Sequence, residues 1–186
     1  MNRLEVTDLP LAGLKRVRRL RLGDERGFFE RVFCADTLQA VGWSGPVSQI
    51  NHTYTQEAGT VRGLHYQKAP HAEIKLVSCI RGRVWDVAVD LRPRSPSFLQ
   101  WHAEELSPEN CSALLIPRGF AHGFQVLEPG SELLYCHSAA YVPQAEAGLN
   151  PLDMALAISW PLPVKNLSRR DADLPMIGDD FEGVQL

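Results

Sequence analysis

A chain of 186 residues, 45% hydrophobic and 22% charged, has enough apolar surface for one full core. That excludes a disordered tail and suits a single domain over residues 1–186. A formal net charge of −3 excludes a protein that grips nucleic acid by bulk positive charge, while a small phosphorylated ligand needs only a few local cations.

No stretch approaches the roughly 20 apolar residues that cross a bilayer, so no membrane partner is expected. Residues 1–8 lack the apolar core of a signal peptide. Cys34, Cys79, Cys111 and Cys136 are scattered with no Cys-x-x-Cys pair, which predicts a reduced, cytoplasmic protein. Along the chain, short β-prone runs cover residues 16–22, 28–33, 48–55, 74–80, 84–91, 112–117, 120–127 and 132–137. The clearest is 84–91, where Trp85, Val87, Val89 and Leu91 share one face and Asp86 and Asp90 the other. Turn signals such as Arg81-Gly82, Pro117-Arg118-Gly119 and Glu128-Pro129-Gly130 separate the runs. Only residues 35–41 and 144–157 read as helical, and the segment after Trp160-Pro161 is expected to wrap the rest. Many short strands with few helices predict an all-β, antiparallel sandwich or barrel that holds a small ligand among its inward side chains.

Residues able to carry chemistry fall in four places. In Val61-Arg62-Gly63-Leu64-His65-Tyr66-Gln67, strand alternation points Arg62 and Leu64 one way and Gly63 and His65 the other, unless a bulge intervenes. Taken alone, His65 is more often a satisfied, half-buried ring than a base. Lys75 enters a strongly apolar strand, where a lysine either snorkels to water or aims its cation into the lumen. Pro117-Arg118-Gly119-Phe120-Ala121-His122 resembles the second motif of the cupin barrels, whose histidine points into the lumen. Tyr135, Tyr141 and Asp171 complete the set; their ordinary roles are a core phenol, a surface phenol and a helix cap or loop acid.

These segments occur in one order with Asp24-Glu25-Arg26-Gly27-Phe28-Phe29, Trp160-Pro161 and Leu167-Ser168-Arg169-Arg170-Asp171. Together, from about Asp24 to Pro175, they resemble the dTDP-4-dehydrorhamnose 3,5-epimerase family. The resemblance implies a cupin-like jelly-roll β-barrel with a few short peripheral helices. It also implies a homodimer with N-terminal strands contributing to the interface, a sugar-nucleotide substrate, and no metal or redox cofactor. Carried over residue by residue, the base is His65, held by Asp171; the acid on the opposite face is Tyr135; Lys75 sits beside the sugar's C4 oxygen. Gln49, Asn51, Arg62, His122, Tyr141 and Arg170 match positions around the sugar and diphosphate. Arg26 and Phe29 match residues that reach the nucleotide from the other subunit.

The chemistry is coherent. A carbon beside a C4 ketone is acidic because its enolate places charge on the ketone oxygen, so the site needs a base, a cation at that oxygen and an acid across the ring. The chain departs from the family where Arg31 replaces a glutamate associated with reading the thymine base. It departs again at Ser138-Ala139-Ala140-Tyr141, in place of Thr-Asp-Tyr-Tyr, and His71 and Glu73 are expected to recharge the rim. Nucleotide identity and the choice between C3, C5 or both therefore stay open. The competing readings are a metal cupin using His65, His71, Glu73 and His122, a sugar-nucleotide ketoisomerase, and a non-catalytic binding module. The metal reading is weakened by Gln67, which stands where such sites place their second histidine.

Overall fold

The computed structural model describes residues 3–186. Its strands are β1 (Leu4–Asp8), β2 (Lys15–Arg19), β3 (Leu22–Asp24), β4 (Gly27–Phe29), β5 (Gln49–Thr55), β6 (Val61–Gln67) and β7 (Lys75–Arg81). The series continues with β8 (Val84–Asp90), β9 (Trp101–Leu106), β10 (Ser112–Ile116), β11 (Phe120–Val126), β12 (Ser131–His137) and β13 (Glu146–Gly148). Two short helices, α1 (Ala35–Gln39) and α2 (Arg169–Ala172), lie outside the sheets. Six strands in the order β1-β2-β10-β7-β12-β5 form one sheet, and five in the order β13-β6-β11-β8-β9 form the other; β3 and β4 make a separate hairpin. Every pairing between named strands is antiparallel. This is the antiparallel barrel that the strand pattern predicts, in the cupin-like jelly-roll form that the family resemblance implies.

Apolar burial explains the arrangement. Between the sheets, Val77, Leu114, Ile116, Phe120, Phe124 and Leu133 pack into a core that closes one end of the barrel. Leu38 of α1 and Trp43 cover the outer face of the six-stranded sheet against Leu76, Leu115 and Cys136. On the outer face of the five-stranded sheet, Leu156, Trp160, Phe181 and Val184 pack on Val87, Val89 and Leu91. At about 25 cal/mol per Å² of apolar surface, such side chains contribute roughly 1.5–3 kcal/mol each, which is what holds so many short strands together.

Some expectations change. Residues 144–157 are not helical: a 3-10 turn at Pro143–Ala145 leads into β13, which pairs with Gln67, Tyr66 and His65 of β6. Gly148 and Pro151 oppose a helix, and a Cβ at Gly148 would lie 2.5 Å from the Leu64 carbonyl oxygen. The expected 16–22 strand ends at Arg19, and the next run is the short hairpin of β3 and β4. Strand β1 alternates Leu4 and Val6, packed against the sheet, with Glu5 and Thr7, whereas β9 carries no clean apolar alternation.

Strand β6 carries the bulge that the alternation left open. His122 pairs with His65 and Phe124 with Arg62, so three steps of β6 oppose two of β11. The extra residue turns Arg62 and His65 to the same side, both lining the cavity, while Leu64 packs into the outer core. Glycines permit it: Gly63 has φ +127, and a Cβ there would lie 2.5 Å from the Gly123 Cα.

Candidate active site

The open end of the barrel is a cavity of about 980 Å³ between the two sheets. His65, Arg62 and His122 reach it from the five-stranded sheet; Gln49, Asn51, Lys75 and Tyr135 reach it from the six-stranded sheet; Asp171 and Arg170 of α2 and Tyr141 border it. Ten of the twelve site residues drawn from the sequence thus converge. The other two, Arg26 and Phe29, lie on the β3–β4 hairpin, and Phe28 and Phe29 there are 60% and 58% exposed.

His65 Nε2 lies 2.7 Å from Asp171 Oδ1. Because an ionised carboxylate only accepts, Nε2 carries the proton and Nδ1 keeps a lone pair. Ser168 caps α2 by accepting from the Asp171 N–H at 3.0 Å, and the Gly63 N–H donates to Asp171 Oδ2 at 3.3 Å. Burial raises the Asp171 carboxyl, but the His65 hydrogen bond and charge, with Gly63 and Ser168, outweigh it and hold the group below its ordinary value. Asp171 is therefore an ionised anchor, not the cap of α2.

On the opposite sheet, burial pushes the Tyr135 phenol well above its usual range, so it keeps its proton. Lys75 is buried, with Nζ 3.3 Å from the His65 carbonyl oxygen and 3.2 Å from Glu73 Oε1. His122 Nε2 lies 2.9 and 3.0 Å from the two oxygens of fully buried Asp86. At the mouth, half-exposed Tyr141 donates to Glu146 at 2.7 Å, and Glu146 also pairs with Arg170.

Glu73 corrects an expectation. It does not recharge the rim; its side chain is buried in the cavity, between Lys75 and His137. His71 is exposed, as expected. The residues missed by sequence reasoning are Glu73 in this role, His137, Asp86 and Glu146. The quartet proposed for a metal cupin forms no ligand set: His65 and His122 each commit Nε2 to a carboxylate, and His71 is exposed outside the cavity. Among the described residues, no three His, Cys, Asp or Glu side chains are grouped to hold a metal ion. No helix among them is long and apolar enough to cross a membrane.

Comparison with known proteins adds the decisive observation. The sequence pattern of the dTDP-4-dehydrorhamnose 3,5-epimerase family matches residues 8–179. The chain belongs to this family. A dTDP-4-dehydrorhamnose 3,5-epimerase of Sinorhizobium fredii is 39% identical over 170 residues, covering 91% of this chain and 87% of the relative. The crystal structure of the dTDP-4-dehydrorhamnose 3,5-epimerase of Bacillus anthracis, with TDP and PPi bound, superposes with a TM-score of 0.90 at 38% identity, covering 94% of this chain and 99% of that one. That of the epimerase of Legionella pneumophila, in complex with dTDP-4-keto-L-rhamnose, gives 0.87 at 40% identity, covering 93% and 92%. Membership in this epimerase family makes the protein an isomerase, and its fold is the family's jelly roll.

Proposed function

We propose that this epimerase acts on a nucleoside-diphospho-4-keto-6-deoxysugar, most directly dTDP-4-dehydro-6-deoxyglucose, to give dTDP-4-dehydrorhamnose. The observation that carries the reading is the opposition of two proton-handling groups. His65, set by Asp171, and the protonated phenol of Tyr135 line one cavity from facing sheets, and the Lys75 ammonium lines it too.

His65 Nδ1 takes the proton from a carbon beside the C4 ketone, and the electron pair moves onto the ketone oxygen. Lys75 stabilises the charge developing there. Tyr135 returns a proton to the other face of that carbon, so configuration inverts. Only protons move and no electron changes hands, so the step balances without a cofactor. Arg62, Arg170 and Lys165 bring positive charge to the cavity's lining, which suits a diphosphate.

The site is completed by a second copy of the chain. Arg26 and Phe29 stand on an exposed hairpin and do not reach their own cavity, and the exposed Phe28 and Phe29 rings favour burial against a partner. Sedimentation velocity should give twice the 20.7 kDa chain mass; a monomer at tens of micromolar would overturn this part. The chain is taken to act as one domain in a reduced cytoplasm, in keeping with its four free cysteines.

The reaction is tested in heavy water with dTDP-, UDP- and GDP-linked 4-keto-6-deoxysugars, because Arg31 leaves the base-reading position open. NMR should find deuterium at carbons flanking the ketone and inverted product with the preferred nucleotide. Absence of exchange with every nucleotide would reject the epimerase reading, and exchange with retained configuration and a migrated ketone would favour ketoisomerisation.

A further inference from the structure

Resting on the epimerase reading above, we propose that His137, held by Glu73, is a second proton donor on the Tyr135 side of the cavity. Each donor serves one of the two carbons flanking the ketone, and this division supplies both inversions that the product proposed above requires. Tyr135 and His137 are two residues apart on β12, so both project into the same cavity, with ring centroids 6.1 Å apart. His137 pairs directly with Lys75 across the β7–β12 ladder, which sets it beside the cation assigned to the ketone oxygen.

Two backbone N–H groups fix the polarity of the surrounding network. The Tyr141 N–H donates to Gln49 Oε1 at 2.7 Å, which leaves Gln49 Nε2 to donate to Asn51 Oδ1 at 3.4 Å. Asn51 therefore turns Nδ2, a donor, toward His137 Nε2 at 3.4 Å. On the other side, the Val142 N–H donates to Gln67 Oε1 at 2.7 Å, and Gln67 Nε2 donates to Glu73 Oε2 at 3.1 Å. Glu73 Oε2 also lies 3.1 Å from His137 Nδ1, which must be the donor. His137 thus has one nitrogen anchored on a buried carboxylate, as His65 has on Asp171. In the structure His137 Nε2 thus accepts from Asn51; protonation of the ring breaks that bond, and the Nε2 proton then has its acceptor in the cavity's ligand.

The step balances as follows. A C–H bond breaks toward His65, and its electron pair enters the enolate. The pair then forms a C–H bond with the Nε2 proton of imidazolium His137, leaving neutral imidazole for solvent to reprotonate. The Glu73 carboxylate stabilises that imidazolium. Burial raises the Glu73 carboxyl, but His137 and Lys75 outweigh it and hold Glu73 ionised.

The test follows the two carbons separately by NMR in heavy water with the preferred nucleotide. His137→Asn is expected to slow inversion at one carbon by at least about 10²-fold, so that a singly inverted sugar accumulates. Tyr135→Phe should do the same at the other carbon. Glu73→Gln should slow the His137 carbon selectively, and His137→Gln repeats the test should the asparagine variant fold poorly. The proposal falls if the His137 variants invert both carbons within threefold of wild type, if they slow both equally, or if wild-type protein inverts only one. Wild-type protein that exchanges no carbon-bound hydrogen fails at the epimerase reading itself.

Discussion

His65→Ala is expected to lower deuterium exchange at the carbons flanking the ketone by about 10²–10⁴-fold, with nucleotide-sugar binding held within a few-fold. The expectation follows from the division of labour across the cavity. In the proposed reaction His65 contributes the lone pair that removes the proton, whereas the cations that suit the diphosphate stand on Arg62, Arg170 and Lys165. His122 lies directly across the β6–β11 ladder from His65, with its Nε2 held by fully buried Asp86. Exchange by NMR and binding by calorimetry separate the two effects. Exchange at the wild-type rate would remove His65 from the mechanism.

The second large effect belongs to Asp171→Asn. The Gly63 N–H, which now donates to Asp171 Oδ2, would claim the amide oxygen of the asparagine. The amide NH₂ would then face His65 Nε2, which has to accept, and the ring proton is driven to Nδ1. That is the nitrogen required as base. Loss of about 10²–10⁴-fold in kcat is expected with little change in KM, by the same tautomer logic that governs serine hydrolases. Stability supplies an independent readout. The Asp171 carboxyl lies below its ordinary value in the folded state, so its stabilising contribution is complete above the unfolded value of about 3.9. It is lost as pH falls through the folded value. Denaturation of the two proteins should therefore differ most near neutrality and converge under acid conditions. A constant difference across that range would contradict the ionised anchor.

The strand framework was largely legible in the residues. Residues 84–91, 120–127 and 132–137 match β8, β11 and β12 to within one residue, because both the alternation and the flanking turns are local signals. Strand β9 was not legible. Trp101–Leu106 carries His102, Glu104 and Glu105, and it is held by pairing with β8 and by Arg16, whose guanidinium grips Glu104 at 2.8 and 2.9 Å. Residues 144–157 read as helix because their alanines have helical propensity, but the exposed edge of β6 recruits three of them as β13. The catalytic set came from the ordered motifs of the family, which composition alone would not have supplied. What stayed hidden was pairwise. Glu73 and His137 are 64 residues apart, and Asp86 and His122 are 36 apart, so only the ladder brings them together. Asp86 illustrates the difficulty: an acid on the polar side of an alternating strand reads as solvated, whereas here that side faces the closed barrel and Asp86 is fully buried.

The unequal count between β6 and β11 also governs how the chain tolerates changes in length. Deleting one residue between Arg62 and His65 would set two steps against two, a regular ladder in which the two side chains still share a side. Losing the bulge while keeping all the residues would instead set the guanidinium and the imidazole on opposite faces, so that one of them leaves the lumen. Within this segment, a substitution at Gly63 or Gly123, where a Cβ would lie 2.5 Å from the Gly123 Cα or 2.7 Å from the Arg62 carbonyl oxygen, endangers the shared side more than the loss of one residue does.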